Sequence, residues 1–275
     1  MSEARRWLRN LVILGGAGLG LGRRSGRRII ALHDIEDREA FRARMRWLSR
    51  QFTVRPLRDL LTGPRDGPAV ALTFDDGYAS WEEVVWPVLD ELDLSATFFV
   101  CSGFVGLGPE AAARFTREHL LRRQMLRPLT PVQLRRLADQ PGFEIGSHTV
   151  HHADLTRTSH ADDVTAEIVE DRRRLEDLTG RPVSLFAYPF GQPRHASAAA
   201  RSVLEEAGFE WAFSIVPQFV EAASSRYEVG RDSLDPRDSE RLWTAWLHGS
   251  YDTLYGLRRG AGRARAARPE GGRPR

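Results

Sequence analysis

The chain contains no lysine. All 40 of its basic residues are arginine, against 37 acidic ones. No amine side chain is therefore available for chemistry, and the bias reads as gene base composition rather than function. A net charge of +3 is too near neutral to argue for nucleic acid. Cysteine is nearly absent too. Cys101 stands alone, which excludes an intrachain disulfide and a cysteine-based metal site. Within Phe98-Phe99-Val100-Cys101 it reads as a core residue. Long apolar runs are also missing, since none approaches the roughly 20 residues a membrane span needs.

The rest of the composition is that of an ordinary globular protein, 41% hydrophobic and 28% charged over 275 residues. That length suits one large α/β domain or two small ones. The ends stand apart. Arg5, Arg6 and Arg9 precede an apolar run from Leu11 to Leu21, the outline of a weak signal peptide. The run is glycine-rich, however, is followed by Arg23-Arg24, and lacks a small-x-small cleavage pattern. Residues 1–26 are therefore expected as a helix-and-turn lead-in, with a weak signal or membrane-surface anchor as the alternative. Residues 258–275, rich in arginine and glycine, are expected as a solvated, disordered tail. Without a clear signal the expected location is cytoplasmic, at most at the membrane face, with an exported form as the alternative.

Between the ends, strands and helices alternate. Short apolar runs predict strands at Arg27–Leu32, Ala69–Phe74, Ala96–Val100, Phe143–Ile145, Val183–Tyr188, Trp211–Val216 and near Tyr227–Arg231. Helical spacing predicts helices over 37–52, 80–92 with Ser80 as N-cap, 131–138, 162–178, 196–207 and 238–257. In the helix over 162–178, Val164, Ile168 and Leu175 share one side. This alternation predicts a distorted (β/α) barrel of about seven parallel strands over residues 27–257. Residues 103–131 read as an insertion over one rim.

The polar clusters all follow predicted strands: His33, Asp75-Asp76, His148 to His152, Pro189-Phe190 and Arg231. In a parallel barrel such positions share the C-terminal rim, where active sites are built. His148 and His152, four apart, are expected on one side of a helical turn, able to bind one ion. Asp75 and Asp76 offer a carboxylate to complete a three-ligand site with a position left for water. Adjacent carboxylates stay ionised only beside a cation or hydrogen-bond donors. Taken singly, the histidine pair is more often a polar turn, and Asp-Gly a common turn pair.

Three segments together resemble the polysaccharide deacetylase family, the NodB-homology or carbohydrate esterase 4 domain. They are Thr73-Phe74-Asp75-Asp76-Gly77, Glu144-Ile145-Gly146-Ser147-His148-Thr149-Val150-His151-His152 and Phe186-Ala187-Tyr188-Pro189-Phe190-Gly191, in the family's order. The resemblance implies a NodB-like barrel that hydrolyses N-acetyl groups of an amino sugar in a polysaccharide or glycan. It implies a divalent metal, Zn2+ or else Co2+, Ni2+ or Fe2+, on Asp76, His148 and His152. It also implies Asp75 as base, Thr149 as shaper of the histidine loop, and the Phe190 N–H as oxyanion donor, with Pro189 and Tyr188 beside the substrate. His151 matches no motif position and reads as surface. An N-acetylated glycan is the expected partner, and no nucleic acid.

The sequence departs from the family twice. Many members carry an arginine before the Pro-aromatic pair to orient the base, but Phe186-Ala187-Tyr188 has none. Arg231, ending a later strand, is the candidate replacement. The usual general-acid histidine lies in a Leu-x-His motif, and the only similar piece, Trp246-Leu247-His248, falls in a predicted helix. His33 is the better-placed candidate. The competing readings are a hydrolase of small cyclic amides on the same barrel, and a catalytically weak sugar-binding relative.

Overall fold

The computed structural model describes residues 10–15, 24–157, 161–221, 224–252 and 255–256. The tail expected over 258–275 and most of the lead-in over 1–26 lie outside them. The chain divides into two compact units, residues 26–237 and a smaller one from both ends, 1–25 with 238–275. None of the described helices is long and apolar enough to cross a membrane.

The larger unit begins with β1 (Arg27–Leu32), α1 (Arg38–Gln51), β2 (Thr53–Val54), α2 (Leu57–Thr62) and β3 (Ala69–Asp76). A π turn, Trp81–Val85, runs into α3 (Trp86–Glu91), followed by β4 (Ala96–Val100), α4 (Pro109–Glu118), α5 (Pro131–Ala138) and β5 (Phe143–Ser147). Next come α6 (Ala161–Thr165), a second π turn (Ala166–Glu170), α7 (Asp171–Thr179), β6 (Leu185–Ala187), α8 (Ala198–Glu206), β7 (Trp211–Phe213) and β8 (Asp232–Ser233). The smaller unit holds α9 (Glu240–Leu247), with His248 at its C-cap.

The sheet runs β7-β6-β5-β4-β3-β1-β8, with β2 beside the start of β3. Every pairing is parallel. The expected barrel-like array of seven parallel strands is present as a curled sheet. The segment predicted as a strand over 227–231 spans its two edges. Val229 bridges to Phe213 of β7, and Asp232 and Ser233 pair with Ile30 and Ala31 of β1.

β1, β3 and β4 are buried at every position, as strands covered on both faces must be. Ile29, Ala71, Phe99, Leu185, Ala187, Phe213 and Val229 form one cluster, alternating along their strands. Gly146 has a packing reason, since a Cβ there would come 2.5 Å from the Phe99 ring. On the other face Phe74 stacks on Phe98 at 5.2 Å, with Trp81 tilted against Phe98 at 5.1 Å.

One local expectation fails. Ser80 does not cap its helix; its hydroxyl donates to Asp34 Oδ1 at 2.6 Å and accepts from the Ile35 N–H at 3.3 Å. The inserted segment over 103–131 carries helix α4 and returns along the β3 exit, where Leu129 N–H donates to Gly77 O at 2.9 Å.

Candidate active site

β3 ends in Asp75 and Asp76, both buried, and leaves the sheet through two residues of positive φ, Asp76 at 91° and Gly77 at 109°. Asp76 Oδ1 lies 3.5 Å from His148 Nε2 and 3.6 Å from His152 Nε2. All three candidate ligand atoms lie within 4.8 Å of one another. Tyr78 donates its hydroxyl to Asp76 Oδ2, and Oδ1 is buried with no hydrogen-bond partner among the described residues. The imidazoles are oriented from behind. His148 Nδ1 meets Ala187 O at 2.7 Å and His152 Nδ1 meets His119 O at 3.0 Å. Donation to those carbonyls puts the proton on Nδ1 and the lone pair on Nε2, the orientation metal-ligating histidines adopt. A buried, unpartnered carboxylate oxygen is expensive without a cation. One carboxylate and two imidazoles suit a zinc-class ion with an open position.

The histidines do not meet on a helical turn. The loop between them is irregular, with Thr149 at φ 65° and His152 at φ 52°. It folds back on itself, bringing the rings 5.1 Å apart. Thr149 Oγ1 secures the fold by accepting from Ala153 N–H at 2.9 Å. Such left-handed non-glycine residues are costly and persist where surrounding structure holds them.

Asp75 sits behind the triad in a bidentate pair with Arg231, Nη1 to Oδ1 at 2.7 Å and Nη2 to Oδ2 at 2.8 Å. Arg231 is fully buried, donates from Nε to Ser214 O at 3.2 Å and from Nη1 to Thr73 Oγ1 at 3.0 Å, and lies 5.1 Å over the Phe99 ring. The strand-end position that nominated Arg231 thus delivers a guanidinium to Asp75. Burial works against the Asp75 charge, but Arg231 and then His148 outweigh it and hold the carboxyl below the usual range. Burial likewise opposes the charge of Asp76, yet beside the two imidazoles its carboxyl is held below the usual range. Burial lowers His152 to about 4, leaving it neutral and able to ligate near pH 7.

The other expected site residues divide. Phe190, at φ 60°, lies with its ring edge-on to His152, centroids 4.6 Å apart. Gly191 follows at φ 52°, and a Cβ there would press to 2.6 Å from Ile215 N. Buried Pro189 leads into that turn. Tyr188 belongs elsewhere. It is buried, packs edge-on against Phe186, and donates its hydroxyl to Tyr227 O at 3.0 Å, so its side chain faces the core. His33 is half-buried at the end of β1, and its field reaches Asp75 and Asp76. His151 is half exposed and pairs with Glu167 at 2.7 Å, a surface contact as expected.

Two side chains were not read from the sequence. Tyr78 orients Asp76. Asp171, fully buried, accepts from Ser102 N–H at 2.8 Å, Ser147 Oγ at 2.6 Å and His148 N–H at 3.1 Å. Burial raises its carboxyl to about 6 against those hydrogen bonds. Its signal was present, because Asp171 lies on the same helical stripe as Val164, Ile168 and Leu175. Cys101 is buried as expected and donates its thiol to His148 O at 3.3 Å.

Known proteins are similar to this chain. The family model for polysaccharide deacetylase matches residues 62–212, more than half of the chain. YxkH of Bacillus subtilis (strain 168), itself named for the polysaccharide deacetylases, is 22% identical over 216 residues, covering 76% of this chain and 69% of its own. The peptidoglycan-N-acetylmuramic acid deacetylase PdaA of the same organism is 29% identical over 121 residues, 44% of this chain and 37% of its own. Among solved structures, IcaB from Ammonifex degensii superposes with a TM-score of 0.63 at 21% identity, covering 84% of this chain and 97% of its own. At that identity the likeness is one of fold. The chain belongs to the polysaccharide deacetylase family, hydrolases that act on carbon–nitrogen amide bonds.

Proposed function

We propose that the protein removes N-acetyl groups from an N-acetylated amino sugar within a glycan, using a divalent ion and Asp75 as base. The observation that carries this reading is the pairing of a buried, unpartnered Asp76 Oδ1 facing two imine nitrogens with a neighbouring Asp75 clamped by Arg231. Asp76, His148 and His152 would hold the ion, which supplies Lewis acidity to the acetamide carbonyl and lowers the pKa of water. Asp75, kept ionised and fixed in angle by Arg231, takes the proton as water adds to the carbonyl carbon. The Phe190 backbone N–H is the assigned donor to the developing oxyanion. The carbon–nitrogen bond then breaks, the amine leaves with a proton, and acetate and the free amino sugar result. His33 is the assigned proton donor, because it shares the rim with both aspartates.

The test is metal content and acetate release for wild type beside Asp76→Ala, with N-acetylglucosamine oligomers as substrate. About one zinc per chain, lost in the variant together with acetate release, supports the reading. Metal bound without acetate release points to another amide or to sugar binding. Wild type that takes up no metal after reconstitution defeats the mechanism. His33→Gln is expected to lower acetate release, and unchanged turnover removes His33 from its role.

A further inference from the structure

Behind the site lies a buried carboxylate that the proposed chemistry leaves unused. Asp171 opens α7 and reaches the C-terminal ends of two neighbouring strands. One oxygen accepts the Ser102 N–H just beyond β4, and the other accepts the Ser147 hydroxyl and the His148 N–H at the end of β5. The His148 N–H is shared with Val100 O at 3.0 Å, and the His148 carbonyl is met by the Cys101 thiol. The backbone of one candidate ligand is thus held on both sides.

The chemistry of these contacts is unusual for a bracing residue. All three partners are uncharged donors, so among the described residues the carboxylate is buried without a neutralising guanidinium in contact. A threonine or asparagine could satisfy part of this set without burying a charge, which is costly even when hydrogen-bonded. A loaded triad explains the choice. One carboxylate, two neutral imidazoles and a divalent cation sum to one net positive charge, and Asp171 accepts the backbone N–H of one of the three ligand residues. Metal sites are commonly tuned by such outer partners.

We propose that Asp171 is a positioning residue for the metal centre: it fixes the His148 backbone at the end of β5 and supplies the anion that balances the bound cation. The proposal rests on the metal reading above. It differs from a purely structural role in one respect. A structural carboxylate affects the stability of the fold, whereas this one sets the affinity for the ion.

The experiment measures zinc affinity by chelator competition on the metal-stripped full chain, with thermal unfolding of the same preparations. Three variants are compared with wild type. Asp171→Asn keeps the shape but removes the charge. Ser147→Ala removes one of the three donors and keeps the carboxylate. Thr179→Val, on the same helix, removes a buried hydroxyl that donates to Leu175 O at 2.7 Å, far from the histidine loop. Asp171→Asn is expected to weaken zinc binding about 10- to 100-fold, and Ser147→Ala by a few-fold. Thr179→Val is expected to unfold earlier with zinc affinity unchanged. Zinc affinity within about twofold of wild type for Asp171→Asn overturns the proposal, whatever its unfolding temperature. If Asp171→Asn yields no folded protein, Ser147→Ala decides, and unchanged affinity there overturns it equally. Wild type that binds no zinc defeats the metal reading itself, an outcome distinct from wild type and Asp171→Asn binding alike.

Discussion

At the C-terminal ends of the strands, Arg231 is fully buried and both its terminal nitrogens meet Asp75. At the N-terminal ends, Arg58 of α2 is 38% exposed and divides itself among Glu144, Glu210 and Ser184. Each guanidinium ties several strands together. Arg231 links β3 to the segment entering β8, and Arg58 links α2 to β5 and to the residues just before β6 and β7. They differ in what water can replace. Solvent can take over the partners of Arg58, while Asp75 has nothing else to turn to. The same residue type is therefore a clamp at one end and a surface tie at the other, and the difference in burial predicts a difference in consequence.

The largest effect is expected at Arg231. Arg231→Ala leaves the Asp75 carboxylate buried without its counter-charge, a change that typically costs 3–5 kcal/mol, about half the stability of many domains. Denaturant unfolding should show that loss, and acetate release should fall by about 100-fold or more because the base is neither ionised nor aimed. Arg231→Lys should recover little of either, since an ammonium cannot make the two-point contact. Combining Arg231→Ala with Asp75→Asn should restore part of the stability and none of the activity. If Arg231→Ala unfolds like wild type, burial does not distinguish the two ends as argued.

A smaller effect is expected at Tyr78, whose hydroxyl holds Asp76 Oδ2 and leaves Oδ1 for the ion. Tyr78→Phe keeps the ring between Trp81 and Phe104. Zinc affinity should fall by about tenfold. Unfolding of the metal-free chain should change by no more than about 1.5 kcal/mol, the worth of one hydrogen bond. Equal affinity in the two proteins would mean that packing alone orients Asp76.

How much of this was legible depends on whether the signal was local. Asp75-Asp76 and the His148–His152 pair stand in short motifs, and their strand-end placement follows from apolar runs a few residues long. Arg231 could be nominated only because it ends a strand, since no spacing connects it to a residue 156 positions away. Asp171 was hidden in plain view. An acid on an apolar helical stripe is a signal, but helix reading gives weight to the apolar residues and passes over the exception. The carbonyls of Ala187 and His119 carry no residue-type signal at all, and they choose the tautomers. Tyr188 misled because it continues the alternation of Phe186 one residue past the end of β6 and so turns inward, while Phe190, two residues on, lies beside His152. Ser80 misled for a related reason. A serine before a helix can serve the loop that precedes it, and here Asp34 claims its hydroxyl.

The smallest effect is expected at the other end of the sheet, and pH gives it a sign. Glu210 is held below the ordinary carboxylate range chiefly by its hydrogen bond to Arg58, so it contributes stability above its unfolded pKa that is lost as pH falls through the folded value. Glu144 behaves oppositely. Burial raises its carboxyl despite Arg58, so it contributes a cost that appears as pH rises through the window between the unfolded and folded values. Arg58→Ala moves both carboxyls upward. It removes the hold on Glu210 and leaves burial of Glu144 unopposed. Both changes make the folded state bind more protons in acid, so they act in the same direction on stability. The variant should be less stable than wild type by about 0.5–1 kcal/mol at neutral pH, as expected for exposed pairs. That deficit should shrink as pH falls through the carboxylate range and vanish once both carboxyls are protonated in the folded state. Urea unfolding of both proteins at neutral pH and along an acid series measures it, and acetate release at neutral pH should stay at the wild-type level. A deficit that persists unchanged in acid would assign the Arg58 contribution to its bond with Ser184 and the packing of its stem rather than to charge. Arg58 would then resemble Arg27 at the start of β1, which among the described residues donates to the backbone carbonyls of Leu60, Gly63 and Pro64 and is expected to act at every pH alike.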